Sequence, residues 1–217
     1  MTERTYTSAI ERLRGIPEVF TGSELTVLSG WTSATASTYL ANWRKAGLVK
    51  SLGGRSDIHM NLVGNRRVDP ELALRRAFPR AIKVGVDILR AAGWTTQIPT
   101  QPEVAIPLTS SRYSVNGFTL TTRTEKWFQA VNPGVEKVAD GIDRLRPAWA
   151  LADMISRLRD RRVRHAWLPD PEDIDLDSAH HSREMRSDLA RALIAFDLEP
   201  DCLDGSGYAS IYDEFRR

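Results

Sequence analysis

Apolar residues recur at helical spacing in two short segments between residues 21 and 46, on either side of Ser29-Gly30-Trp31. The positions that share a face in each segment are Leu25 and Leu28, then Ala36, Leu40 and Trp43. Thr32 is a suitable N-cap for the second segment, and Gly47 can supply the left-handed residue that ends it. The pattern therefore predicts two short helices joined by a tight glycine turn.

Apolar and polar residues then alternate with period two in 48–52 and 58–62, on either side of Gly53-Gly54-Arg55. Two such runs around a glycine pair predict a β-hairpin. Helix, glycine turn, second helix and hairpin together make a winged helix-turn-helix, whose main use is to lay the second helix in the major groove of DNA. The first hypothesis for residues 1–66 is therefore a DNA-binding domain.

The outward side of the second predicted helix carries small, hydroxylated residues, which allow a close approach to phosphates and base edges. Asn42 could pair with adenine, and Arg55 at the hairpin tip could meet the minor groove or a phosphate. An ordinary solvated helix face and hairpin tip are the alternative. The predicted DNA contacts in this domain are Thr32, Ser33, Thr35, Ser37, Thr38, Asn42, Lys45 and Arg55.

The stretch 64–70 has the composition of a linker, and helical and strand patterns interleave after it. Helices are predicted over 72–78, over 81–92 and from Pro147, and strands over 104–106, 118–122 and 127–131. No long parallel-sheet pattern occurs, so the prediction is an α+β fold. It consists of the winged helix-turn-helix, a mixed α/β domain over 67–169 and a helical extension over 170–217.

The net charge of +2 hides an uneven distribution. Lys and Arg outnumber Asp and Glu by 16 to 9 in residues 70–169, whereas the acids outnumber the bases by 13 to 5 in 170–217. Within the basic part, Arg157, Arg161 and Arg164 fall on one face at helical spacing and could contact phosphates. A solvated helix neutralised by Asp160 and by the acidic tail is the alternative.

Other chemistry finds little support in the residues. A single cysteine, Cys202, excludes an internal disulfide and a cysteine-rich zinc site. Asp173, Asp175, Asp177 and Glu184 match the spacing of a calcium loop, but Ser178 stands where the loop needs glycine. We find no phosphate-binding glycine loop, metalloprotease motif or nucleophile elbow, so no cofactor, metal or catalytic residue is predicted. The lack of a signal peptide or long apolar run predicts a cytoplasmic protein without membrane contact.

Residues 183–197 form one further amphipathic pattern. The apolar positions are Met185, Leu189, Leu193 and Phe196, and charged residues occupy the other sides. Such a helix must cover an apolar surface. The surface is either the core of the protein itself or that of a partner.

Four segments of the middle region resemble the AbiEi family of antitoxins. They are residues 88–94 (ILRAAGW), 103–107 (EVAIP), 117–120 (GFTL) and 145–153 (LRPAWALAD), and the resemblance covers roughly residues 15–165. Its motifs are diffuse packing signatures. The resemblance implies an antitoxin of a bacterial type IV toxin–antitoxin system, with a winged helix ahead of a mixed α/β domain.

The same resemblance implies that the protein represses its own promoter by binding inverted repeats, and that it counteracts a nucleotidyltransferase-like toxin. By this resemblance, the DNA contacts are expected on the helix Thr32–Lys45, on Arg55 and on the cationic residues of Arg157–Arg164. The acidic extension after Asp170 has no counterpart in the family. Two alternatives stay open. One is a stand-alone winged-helix regulator with a ligand-sensing or oligomerisation domain, and the other is an enzyme that modifies a toxin or cleaves DNA.

Overall fold

The computed structural model describes residues 8–53, 56–64, 67–107, 114–158 and 183–198. These residues form a mixed α+β fold, as the pattern of the sequence predicts, and they contain two separate β-sheets. The chain divides into two compact units. Unit 1 comprises residues 1–79, 110–116 and 140–142, and unit 2 comprises 80–109, 117–139 and 143–217.

The described residues of unit 1 form a three-stranded antiparallel sheet and four helices. Its elements are α1 (Ala9–Arg14), β1 (Val19–Thr21), α2 (Gly22–Ser29), α3 (Ser33–Lys45), β2 (Val49–Ser51), β3 (Ile58–Asn61) and α4 (Pro70–Ala77). The strand order is β1-β3-β2, with Val19 opposite Met60 and Val49 opposite Asn61. The predicted pairing of β2 with β3 is confirmed, whereas β1 is a strand that the pattern did not indicate.

The core of unit 1 lies where α1, α2 and α3 meet the sheet. Its buried residues include Leu13, Phe20, Leu25, Ala36, Leu40, Trp43, Val49 and Val63. The apolar face predicted for α3 is therefore confirmed as the inner face of this helix. Leu28, which the spacing placed on the same face as the buried Leu25, is instead 56% exposed.

Unit 2 is built on a five-stranded mixed sheet. Its strands are β4 (Ile82–Val84), β5 (Glu103–Pro107), β6 (Thr119–Arg123), β7 (Val135–Glu136) and β8 (Asp143–Leu145), in the order β6-β5-β4-β8-β7. The pairs β4/β8 and β5/β6 are parallel, and the pairs β4/β5 and β7/β8 are antiparallel. The helices are α5 (Val86–Ala91), α6 (Glu125–Val131), α7 (Pro147–Leu158) and α8 (Arg183–Ala195), and a 3₁₀ turn spans Asn132–Gly134.

Two elements predicted for this region are wrong. The helix predicted over 81–92 is divided into β4 and α5 by Gly85, whose φ of 80° and ψ of −162° suit glycine and disfavour other residues. The strand predicted over 127–131 is part of α6, which Thr124 caps by accepting a hydrogen bond from the Trp127 amide at 3.3 Å. Short apolar runs are compatible with either period, and here the break and the cap decide.

The helices that start at Pro147 and near residue 183 are confirmed, and they pack together in unit 2. Leu189 and Leu193 of α8 are buried in the same core as Leu151 and Met154 of α7. Asp188 of α8 accepts a hydrogen bond from Arg146 Nη2 at 2.9 Å and forms an ion pair with this arginine, which immediately precedes α7. The amphipathic face of α8 therefore covers the core of its own unit. None of the helices in the described ranges combines the length and apolarity that crossing a membrane requires.

Candidate nucleic-acid interface

Hydrogen bonds cap both ends of α2, and the connection from α2 to α3 is short. Thr21 and Glu24 form a reciprocal capping box at the start of α2, with distances of 3.0 and 2.8 Å. Gly30 ends α2 in the left-handed conformation at a φ of 64°, and the Trp31 amide donates to the Thr26 carbonyl at 3.0 Å. Three residues, Gly30, Trp31 and Thr32, separate the two helices, and Thr32 is the N-cap of α3.

Thr32 begins α3 in the way that the sequence predicts. Its Oγ1 accepts a hydrogen bond from the Thr35 amide at 3.2 Å and lies 2.9 Å from the Thr35 Oγ1. At the other end of the helix Gly47 adopts a φ of 71°, which also agrees with the prediction. The inner face of α3 is closely packed, with exposed fractions of 2% for Ala36, 6% for Leu40 and 3% for Trp43.

The opposite side of α3 is open to solvent. Thr35 is half-buried beneath this surface, and the Thr38 hydroxyl donates to the Ala34 carbonyl at 3.0 Å, which leaves its oxygen lone pairs free to accept. The exposed residues of the predicted contact set are Thr32, Ser33, Ser37, Thr38, Asn42 and Lys45. In the part of the chain that the structure describes, no side chain packs over this surface to bury it, so it can receive a ligand.

An aromatic cluster that sequence analysis missed orients α3 against α1. The Trp31 and Tyr39 rings are stacked with centroids 4.2 Å apart and planes at 17°. The Arg12 guanidinium lies 5.4 Å from each of these ring centroids, and Trp43 packs against both rings. The i, i+4 spacing of Tyr39 and Trp43 was visible in the sequence, but the approach of Arg12 and Trp31 depends on the packing of α1.

The hairpin is attached to the start of α2 through Asp57. Its backbone carbonyl accepts from the Gly22 amide at 3.3 Å, and its Oδ2 accepts from the Ser23 amide at 3.3 Å. A Cβ at residue 22 would lie 2.6 Å from Asp57 Oδ1, so a larger residue there would displace the Asp57 carboxylate. Asp57 thus orients the hairpin relative to the helix pair. Arg55, the predicted tip contact, lies outside the described residues.

His59 of β3 lies under this contact and is 6% exposed. Its Nε2 is 3.5 Å from Asp57 Oδ1, and its ring packs 5.6 Å from that of Phe20. Burial lowers the pKa of His59 and outweighs the attraction of Asp57, and the positive charge of Arg44 lowers it further. His59 is therefore neutral at neutral pH and acts as a packed core residue beneath the hairpin.

Charge on α3 favours a polyanion. The helix contains no acidic residue, and Arg44 and Lys45 occupy its last turn. Both side chains are exposed, as is that of Lys50 on β2. Positive charge at one end of a surface of hydroxyl and amide groups can neutralise phosphates while the neutral groups contact bases.

Of the second predicted cationic group, the structure describes Arg157. Arg157 is at the end of α7 in unit 2, where its Nη1 lies 2.6 Å from Glu103 Oε1 and its side chain is 14% exposed. Its charge is thus matched by a carboxylate. Arg161 and Arg164 lie outside the described ranges, as do Asp173, Asp175, Asp177 and Ser178 of the calcium-like spacing.

A scan against protein-family models finds no match for this chain, and a search of curated proteins finds none either. Among solved structures, the chain is similar to the crystal structure of the RV2827C protein from Mycobacterium tuberculosis. The TM-score is 0.56 at 16% identity, and the alignment covers 98% of this chain and 82% of that chain. A similarity at this level of identity shows a common fold and carries no activity, substrate or partner across.

Proposed function

We propose that this protein binds double-stranded DNA through a winged helix-turn-helix, in which α3 is the recognition helix and the β2–β3 hairpin is the wing. We further propose that it is the antitoxin of a type IV toxin–antitoxin system, which represses its own promoter and counteracts a nucleotidyltransferase-like toxin. The first part rests on the surface of α3, and the second on the resemblance of the middle region to AbiEi antitoxins.

The observation that carries the DNA-binding proposal is the contrast between the two sides of α3. Ala36, Leu40 and Trp43 anchor one side, whereas Asn42 and Lys45 project from a solvated side without acidic residues. A recognition helix needs both properties, because its backbone must be held rigidly while its outer side chains replace water on base edges and phosphates. The short turn before α3 and the Asp57 link to the hairpin support the same arrangement.

The experiment is a fluorescence-anisotropy titration with a labelled duplex from the region upstream of the gene, repeated from about 50 to 200 mM salt. We expect Lys45→Ala to weaken binding to any duplex and to reduce the salt slope by about one, as the loss of one phosphate contact should. We expect Asn42→Ala to weaken binding to the upstream duplex by roughly 1–3 kcal/mol with little effect on an unrelated duplex. Arg55→Ala should behave like Lys45→Ala.

Lys126→Ala is the matched control, since Lys126 is an exposed lysine on α6 of unit 2. It should leave both the affinity and the salt slope unchanged. If the unaltered protein does not bind the upstream duplex at low salt, or if the α3 variants bind like the Lys126 variant, α3 is not a recognition helix.

The antitoxin proposal needs its own experiment. The neighbouring open reading frame is expected to encode a nucleotidyltransferase-like protein whose expression alone arrests growth, and co-expression of this chain should restore growth. Restored growth would exclude a plain transcription factor. Binding to the upstream duplex without restored growth would favour the stand-alone regulator instead.

A further inference from the structure

Unit 2 contains an open cavity of about 400 Å³, which is within the size range of small-molecule sites. It lies where β5 and β6 begin, beside the first turn of α5 and the end of α7. Its polar lining includes Glu103, Thr119, Thr121 and Arg157, and its apolar lining includes Val86 and Ile98. A few converging polar groups beside apolar walls are the usual composition of a ligand site.

The ion pair in the cavity leaves hydrogen-bonding capacity unused. Glu103 Oε1 accepts from both Arg157 Nη1 at 2.6 Å and Thr121 Oγ1 at 2.8 Å. Glu103 Oε2 and Arg157 Nη2 have no hydrogen-bond partner among the described residues, and neither is among the atoms shielded from solvent. One acceptor and one donor of the same ion pair are therefore available to a ligand.

Gly85 lies directly beside the Glu103 carboxylate. A Cβ at residue 85 would lie 2.9 Å from Glu103 Oε2, closer than the packing of a carbon and an oxygen allows. The positive φ of Gly85, which divides β4 from α5, thus also makes room for Glu103 at the edge of the cavity. Only side chains of unit 2 take part in this arrangement.

The charges in the lining select the class of ligand. Glu103 and Arg157 neutralise each other, and Asp87, also in the lining, is paired with Arg90 at 3.2 Å. With two carboxylates and one guanidinium in its lining, the cavity disfavours a phosphate group. An uncharged ligand with a hydrogen-bond donor next to an acceptor matches the available Oε2 and Nη2.

We propose that this cavity binds an uncharged nucleoside through the lactam edge of its base. The N–H of the lactam would donate to Glu103 Oε2 and the adjacent carbonyl would accept from Arg157 Nη2, so that each partner of the ion pair would use its free atom. Val86 and Ile98 offer apolar contact to the ring, and the exposed Thr119 hydroxyl can bond the sugar. This site is independent of the DNA contacts proposed for α3.

The test is titration calorimetry of the full-length protein with uridine and with inosine, which carry a lactam on a pyrimidine and on a purine. At least one should bind with a Kd on the order of 0.1 mM, the strength expected of a ligand of this size. The matched probes are 3-methyluridine and 1-methylinosine, in which a methyl group replaces the donor hydrogen. They should bind at least about tenfold more weakly, because Glu103 then faces a methyl group.

Variants distinguish specific binding in this cavity from nonspecific binding to the protein surface. Glu103→Gln should weaken binding at least about tenfold, because the amide cannot serve both Arg157 and the ligand donor. Glu136→Gln is the matched control, since it breaks the exposed Glu136–Arg144 pair of the same unit, outside the cavity. Ile98→Ala changes a residue that is 76% exposed, so the fold should persist while affinity falls a few-fold.

The absence of saturable binding by both nucleosides would overturn the proposal. Equal affinity for the methylated probes, or an equal loss in the Glu136 variant, would overturn it as well. If circular dichroism shows that Glu103→Gln does not fold, the proposal is tested instead with the Ile98 variant and the methylated probes.

Discussion

Asn61 provides a sharp test of how unit 1 is held together. Its side chain is fully buried, and its Nδ2 donates to the carbonyls of Leu13 and Ile16 at 2.7 and 3.0 Å. Its Oδ1 accepts from the Val63 amide at 3.1 Å. One side chain of β3 therefore closes the end of α1 and the loop that follows β3. Asn61→Ala removes all three hydrogen bonds at once.

The size of the effect follows from these bonds. Each contributes about 1 kcal/mol net, so their loss should destabilise this region by about 3 kcal/mol. Because each 1.4 kcal/mol changes an equilibrium about tenfold, the opening of β3 should become roughly 100-fold more frequent. The Ile16 carbonyl and the Val63 amide would each lose the one hydrogen-bond partner that the described residues provide. This loss adds to the destabilisation.

Amide hydrogen exchange followed by mass spectrometry measures this opening directly. Peptides that contain β3 should exchange roughly 100-fold faster in Asn61→Ala. Asn42→Ala is the matched control, because the same group is removed from an exposed position on α3 and the stability change should stay within about 0.5 kcal/mol. An increase of less than tenfold in β3, or an equal increase in the control, would refute the account of Asn61 as the link between α1 and the sheet.

Two further predictions concern packing and pH. Gly134→Ala would direct a methyl group into the indole of Trp149, which is 1% exposed. Urea denaturation should therefore show that the free energy of unfolding falls by about 1–3 kcal/mol. Unchanged stability would mean that the indole can move. For His59, the lowered pKa means that the unfolded chain binds a proton more readily than the folded one. The free energy of unfolding should therefore fall as the pH decreases through and below about 6.5, and His59→Gln should reduce this fall. Parallel pH profiles of the two proteins would contradict the neutral state of His59.

The helix pair of unit 1 was predictable because its signals act over a few residues. The Thr32 cap, the Gly47 end and the 3–4 spacing of Ala36, Leu40 and Trp43 are local, and each is found where the pattern placed it. The β2–β3 hairpin likewise follows from alternation around a glycine pair. These elements contain most of the residues proposed to contact DNA.

Prediction failed where a short apolar run is compatible with two periods. Residues 81–92 match a helix well, and only the conformation of Gly85 shows that Ile82 and Val84 belong to a strand. Residues 127–131 contain aromatic and β-branched residues typical of a strand, but Thr124 caps a helix there. In both cases a single residue at a boundary outweighs the composition of the run.

The ion pairs show a further limit of local reasoning. Arg157 belongs to the densest cationic run of the chain, and its sequence neighbours suggest a phosphate contact. Its partner, Glu103, is 54 residues away, so no spacing rule could join them. Asp57, which connects the hairpin to α2 across 34 residues, is a second example.

By itself, the sequence determined the α+β class, the caps and inner face of α3, the hairpin after it and the amphipathic α8. These properties depend on hydrogen bonds and side-chain periods within a few residues of one another. Only the tertiary structure decided the position of Asn61 under α1, the link from Asp57 to α2 and the cavity around Glu103. Such sites form where strand register and helix packing bring together side chains from distant parts of the chain, and no local pattern encodes that convergence.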